Sequence, residues 1–178
     1  MTTSLIMVGK SHKEFILSLS VDADLKKRIL KVCKRLYKKN MLAAADGNVS
    51  TRLDEERILI TPSGVEKAFV KPEQMAMISL EGEVLEGMPS AEVSMHLEVY
   101  RQCPEARSVV HAHPPHAIAW SLACPDMTEL PSNVLPEVLL ATGRVPVVPY
   151  ARPTTNEMAE KIRPYLDHKV MILARHGA

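Results

Sequence analysis

The sequence predicts a single α/β domain in which helices pack over a central sheet. Three observations carry that reading. Its strand-like runs are short and β-branched, stretches of helical periodicity and long turns separate them, and no internal repeat, low-complexity tract or interdomain linker interrupts the chain. At 178 residues the chain falls in the single-domain range. A chain of this size buries roughly 70% of the surface its unfolded form exposes, so it needs no disulfide staples.

The first element is a helix over Leu25 to Lys39, where Leu25, Ile29, Val32, Cys33 and Leu36 recur at helical spacing between basic residues. Asp22 or Asp24 stands where its N-cap is expected, and the basic face reads as a solvated surface. Ala-Asp-Gly-Asn-Val-Ser, residues 45–50, reads as turn-rich and leads into a strand at Arg57 to Thr61. Pro62-Ser63-Gly64 then turns the chain. Met75 to Ser79 is a second strand, joined through Glu81-Gly82-Glu83 to a third around Val84. A helix is expected from Pro89-Ser90-Ala91-Glu92 to about Gln102, with Ser90 as N-cap and Glu92 in the first turn. Ser108 to His111 reads as a buried strand, Pro114 to Ala123 as a helix, and Val145 to Val148 as a short strand. Thr155 to Leu166 is the next helix, and Lys169 to Leu173 a strand that delivers Arg175-His176-Gly177. The sequence stops directly after that strand with no final helix to cover the sheet, so a further C-terminal segment of the domain is expected.

Composition excludes several function classes. Hydrophobic residues at 46% and charged residues at 24% describe an ordinary globular protein and not a disordered one. The net charge of +1 gives no field to hold nucleic acid or an anionic membrane, so any anion must be caught by a local arrangement. Cys33, Cys103 and Cys124 form no CxxC and read as reduced thiols, with Cys33 and Cys103 expected to be buried. No apolar stretch approaches the roughly 18 residues of a membrane span, and the first residues do not resemble a signal peptide. The expected compartment is the cytoplasm.

Three groups of residues carry chemistry. If Val109 to His113 is strand, His111 and His113 point to one face at a spacing suited to sharing a divalent ion. His176 also stands where an apolar strand runs out. Three protein ligands with an open position is the catalytic zinc pattern, although His-x-His spacing equally serves a structural or hydrogen-bonding pair. The second group is Gly47-Asn48, Ser63-Gly64 and Ser90, turns and a helix start whose N–H groups and hydroxyls can surround a phosphate or can be turns alone. The third is Glu92, which serves the helix dipole unless that helix start faces the metal. His96, one turn later, either orients Glu92 or packs in the core. His116 reads as a helix-start residue or one at the site mouth, and His12 and His168 as surface residues.

Six motifs in order join these groups. They are Asp46-Gly-Asn-Val-Ser-Thr-Arg52, Ile58-Leu-Ile-Thr-Pro-Ser-Gly64, Pro89-Ser-Ala-Glu-Val-Ser-Met-His96, Val110-His-Ala-His-Pro-Pro-His116, Val145-Pro-Val-Val-Pro-Tyr150 and Arg175-His-Gly177. With them the chain resembles the class II aldolase/adducin-head family, in the pattern of the fuculose-phosphate aldolases, over nearly its whole length. The resemblance implies a three-layer α/β/α fold with a mostly antiparallel central sheet. It implies one zinc per subunit, or another divalent ion, held by His111, His113 and His176. Glu92 is implied as a fourth ligand in the resting enzyme and then as the catalytic base. The implied phosphate pocket comprises Gly47, Asn48, Ser63, Gly64 and Ser90, in a homotetramer acting on a small phosphorylated sugar.

The implied activity is reversible cleavage of a ketose 1-phosphate to dihydroxyacetone phosphate and an aldehyde through a metal-stabilised enediolate. Where the family often has a second serine, Ala91 removes one hydroxyl, and a hydrogen bond to a charged group contributes about 1.5–3 kcal/mol. The resemblance does not place the family's catalytic tyrosines on this sequence, in which no tyrosine follows His113 until Tyr150. Related readings on the same site are pentulose-phosphate 4-epimerase, which usually carries Asp in place of Glu92, and methylthioribulose-phosphate dehydratase, which keeps the glutamate. A binding module of the adducin type lacks the metal ligands that this chain retains.

Overall fold

The computed structural model describes residues 12–131 and 136–178, with side-chain environments from residue 22 onward. Helix α1 (His12–Lys38) starts well before the expected residue 25 and runs through Asp22 and Asp24, so neither caps it. It stops where Asn40 takes φ 56°, the left-handed conformation that ends many helices. The chain then enters β1 (Asn48–Arg52), a strand that the turn-rich reading of residues 45–50 missed. Its polar Ser50 and Thr51 are buried because partners distant in sequence satisfy them.

Strand β2 (Arg57–Ile60), β3 (Ala76–Ser79) and β4 (Val84–Glu86) form a meander as expected, with Gly82 at φ 99° in the turn between the last two. Helix α2 (Val93–Gln102) leads to β5 (Ser108–His111), which pairs with β1 and completes an antiparallel sheet of order β4-β3-β2-β1-β5. Period-two alternation sends Val49 and Leu59 to the face under α1, and Ile58, Ile60, Ala76 and Ile78 to the face under Leu97 and Tyr100 of α2. That is the α/β/α layering the motifs imply. The expectation that Ser108 to His111 is a buried strand fails, because β5 is an edge and Val110 remains 45% exposed.

Helix α3 (Pro115–Ala123) follows β5 and carries His116 exposed in its first turn; α4 (Pro136–Thr142) comes next. Strand β6 (Val147–Val148) pairs in parallel with β7 (Ile172–Leu173). Helix α5 (Asn156–Ile162) and a 3-10 turn at Arg163–Tyr165 lie between them. Met95 of α2 packs against Val148, Met158, Ile162 and Leu173, which anchors this C-terminal layer on the helix that carries Glu92 at its start. Cys33 is fully buried, whereas Cys103 is only half-buried and Cys124 is exposed; all three are free thiols. His168 is half-buried, and His12 lies outside the described side chains. No helix among the described residues is long and apolar enough to cross a membrane.

Candidate metal centre and anion recess

Three chain segments converge at the N-terminus of α2. Strand β5 ends at His111, the end expected for it, so the condition that the strand extend to residue 113 is not met and His113 lies in the segment that follows. Its N–H donates to the Met41 carbonyl at 2.7 Å, and its ring centroid lies 4.8 Å from that of His111. The third segment is the tight turn after β7, where Arg175 adopts φ 60° and His176 N–H bonds the Leu173 carbonyl at 3.0 Å. Ala112 and Ala178 exchange backbone hydrogen bonds of 3.0 and 2.9 Å, which clamps the turn onto the end of β5. Candidate ligand atoms of His111, His113 and His176 all lie within 4.8 Å of one another.

The ring orientations leave lone pairs where an ion would need them. His111 Nδ1–H donates to the Ala178 carbonyl at 2.9 Å, so Nε2 is its free acceptor. That atom is 3.0 Å from His113 Nε2 and 3.4 Å from Glu92 Oε2, and Glu92 Oε1 is 3.2 Å from His176 Nε2. Four donors around a tetrahedral zinc with bonds of 2.0–2.1 Å would stand about 3.3–3.4 Å apart. The set therefore fits such an ion with small adjustments. Among the described residues Glu92 Oε1 and His176 Nδ1 are also buried without a hydrogen-bond partner, and a cation would coordinate the carboxylate oxygen instead.

Charge favours the same conclusion. Burial, helped by the neighbouring rings, pushes His111 down to about 4, and burial likewise lowers His113. Burial acts to raise the Glu92 carboxyl, but contact with His176, the His111 ring and the Asn48 amide outweighs it and holds the group at about 2. Neutral imidazoles beside an ionised carboxylate are the protonation states that metal binding requires.

Glu92 occupies the N-cap position of α2 without capping it through its side chain, whereas Ser90, expected there, lies two residues earlier. The Ser90 hydroxyl accepts the Glu92 N–H at 3.3 Å, and its own N–H goes to the Thr61 carbonyl at 3.1 Å. Behind Glu92 runs a chain of buried groups. Asn48 Nδ2 donates to Glu92 Oε2 at 2.8 Å, and Asn48 Oδ1 accepts from His96 Nε2. His96 Nδ1 meets Ser50 Oγ at 2.6 Å, and that oxygen meets the Tyr100 hydroxyl at 2.8 Å. Because Asn48 Oδ1 can only accept, the proton sits on His96 Nε2, and the Ser50 hydroxyl points at Nδ1. His96 is thus both fully buried and, through Asn48, in contact with the carboxylate it was expected either to orient or to pack away from.

Gly47, Asn48, Ser63, Gly64, Ser90 and Ala91 line one recess together with Glu92, His113 and His176, so the structure brings every residue of the expected pocket to the histidine cluster. Ser63 N–H is engaged by the Met88 carbonyl at 3.2 Å. A Cβ at Gly47, where φ is 68°, would meet the Leu42 side chain and lie 2.8 Å from the His111 carbonyl oxygen. The sequence reading missed Lys67, which also lines this recess and is only 2% exposed. Lysines are rarely buried, and nothing in the local pattern marks this one.

Comparisons with known proteins agree with the geometry. The family model for the class II aldolase and adducin N-terminal domain matches residues 27–178. The 3-oxo-tetronate 4-phosphate decarboxylase of Haemophilus influenzae is 32% identical over 88% of this chain and 76% of its own length. An L-fuculose phosphate aldolase of Methanococcus vannielii is also 32% identical, over 85% of this chain and 80% of its own. The crystal structure of YgbL from Escherichia coli superposes with a TM-score of 0.83 at 29% identity, covering 88% of this chain and 77% of that one. The chain belongs to the class II aldolase and adducin N-terminal domain family.

Proposed function

We propose that this protein is a divalent-metal-dependent lyase that breaks a carbon–carbon bond in a small phosphorylated sugar or sugar acid and releases dihydroxyacetone phosphate. The observation that carries the proposal is the donor set of His111, His113, His176 and Glu92 at one end of a recess lined by small hydroxyl and glycine residues. The two kinds of relative named above support it through shared chemistry. Retro-aldol cleavage of a ketose 1-phosphate expels an aldehyde and leaves the enediolate of dihydroxyacetone phosphate. Loss of carbon dioxide from a 3-oxo-tetronate 4-phosphate leaves the same enediolate. The two reactions differ in the fragment expelled and not in the species that must be stabilised.

The residues divide that work. His111, His113 and His176 would hold the ion, for which zinc suits the nitrogen-rich set, and Glu92 would complete it. Once bound, such an ion supplies positive charge against the negative charge that develops on the substrate oxygens. Glu92, kept ionised by its neighbours, would be the group that moves the proton at the enediolate carbon. Ser63, Gly64 and Ser90 would face the phosphate, and Ala91 contributes no hydroxyl to it.

The experiment is metal analysis of wild type and the His111→Ala/His113→Ala double variant, with dihydroxyacetone phosphate release assayed from fuculose 1-phosphate and from 3-oxo-tetronate 4-phosphate. About one zinc per chain, lost in the variant together with release from either substrate, is the expected result. Metal without release from either would move the assignment to dehydration or epimerisation. A wild type that binds no metal would remove the catalytic reading and favour a binding module.

A further inference from the structure

Lys67 is the residue of the recess that the proposed reaction leaves without a task. It opens the 3-10 turn at Lys67–Phe69, just after the Ser63-Gly64 turn, and its side chain is directed inward. Its Nζ donates to the Ala45 carbonyl at 2.7 Å and to the Val65 carbonyl at 2.8 Å. Those two bonds tie together the two loops that carry Gly47 and Gly64. An ammonium has three donors, so one remains. Among the described residues Lys67 makes no salt bridge, and Asp46 and Glu92 act on it only at longer range. Burying an ammonium without a paired carboxylate is costly, and an apolar side chain in its place would avoid that cost.

The charges around the recess show what the ammonium could answer. The lining residues carry two carboxylates, Asp46 and Glu92, and among the described lining residues Lys67 is the only lysine or arginine. A divalent ion at the histidines would balance the two carboxylates, and the Lys67 charge would then be the one left over for an incoming anion. We propose that Lys67 is the phosphate-binding cation of the recess, which holds the two loops by their carbonyls and offers its charge to the phosphate of the substrate. This inference rests on the reading of the recess as the phosphate site.

Lys67→Gln keeps an N–H donor for the loop carbonyls and removes the charge, whereas Lys67→Met removes both. Inorganic phosphate binding to the zinc-loaded protein is measured by calorimetry for wild type and both variants, with zinc content and thermal melting recorded alongside. Both variants are expected to hold zinc like the wild type and to bind phosphate at least about tenfold more weakly. Equal phosphate affinity in a folded Lys67→Gln protein would reduce Lys67 to a loop clamp and overturn the inference while leaving the phosphate site intact. A wild type that does not bind phosphate at all would overturn the site itself, and the inference with it. Should neither variant fold, 13Cε-lysine spectra of the wild type decide the matter. The Lys67 signal is expected to shift with added phosphate together with the Gly64 and Ser90 amides, and a Lys67 signal that stays fixed while those amides move would refute the role.

Discussion

Gly177→Ala tests whether the terminal turn sets the position of the histidine cluster. Gly177 does not have a positive φ, so its lack of a side chain is a matter of space. A Cβ there would lie 2.5 Å from the Ala112 carbonyl oxygen, 2.9 Å from His111 Cε1 and 3.1 Å from His113 Cδ2. Two of these fall below 3.0 Å, a separation real Cβ atoms essentially never show, so something must move. The Ala112 carbonyl cannot yield cheaply, because it accepts the Ala178 N–H at 2.9 Å while the Ala112 N–H returns a bond of 3.0 Å. Releasing that pair forfeits about 1–3 kcal/mol at 0.5–1.5 kcal/mol for each bond, which matches the usual cost of overpacking. The melting temperature should fall by roughly 2–12 °C at about 2–4 °C per kcal/mol for a domain of this size. The larger effect falls on the metal, since the displaced rings are two of its proposed ligands. Zinc affinity, measured by competition with a chromophoric chelator, should drop about 10- to 100-fold, the range for lost supporting contacts around a metal site. A variant that melts lower and binds zinc as tightly as the wild type would refute the argument, since it would show that the turn stabilises the fold without positioning the rings.

Asn48→Ala removes the 2.8 Å donor to Glu92 and the acceptor for His96 at once. It should cost about 1.5–3 kcal/mol of stability by urea denaturation, and an unchanged midpoint would show that the amide is replaced by solvent. Acid should also destabilise the metal-free protein. Burial lowers His96 from 6.5 to about 3 and His111 from 6.5 to about 4, so the unfolded chain takes up these protons first. Their contribution is complete above about pH 6.5 and is lost as the pH falls toward 4 and 3, while Glu92, lowered from 4.5 to about 2, adds a further loss between those values. The urea midpoint should therefore decline steadily from pH 7 to pH 4, and a flat profile would contradict the buried, neutral state of both rings.

What the sequence revealed follows local chemistry, and what it hid depends on contacts between distant segments. The turns at Pro62-Ser63-Gly64 and Glu81-Gly82-Glu83, and strands β2 to β4 around them, were legible because Pro and Gly punctuate apolar runs. Strand β1 was not, since Asn48, Ser50 and Thr51 look like loop residues. Their side-chain polar atoms are satisfied, among the described residues, by Glu92, His96, Tyr100, Arg107 and Ser108, 44 to 57 residues away. Strand β5 erred the other way: an apolar run reads as buried, yet its place at the sheet edge leaves Val110 exposed. The histidine cluster could be anticipated from its motifs, but the Asn48–His96 support behind Glu92 and the burial of Lys67 depend on how distant loops close.

Those distant closures also explain why one scaffold can serve reactions that expel different fragments. The groups that would handle the dihydroxyacetone phosphate half come from β1, the Ser63-Gly64 turn, the start of α2 and the end of β5, all tied to the antiparallel sheet or to each other by backbone hydrogen bonds. Pro153 and Thr154, which border the same recess, belong to the loop before α5, and Thr154 takes φ 63° there. A side of the recess made by such a loop tolerates substitution far better than one made by paired strands. Thr154→Ser is therefore expected to leave zinc binding at the histidines unchanged, and a loss of zinc in that variant would show that the loop and the histidine cluster are not independent.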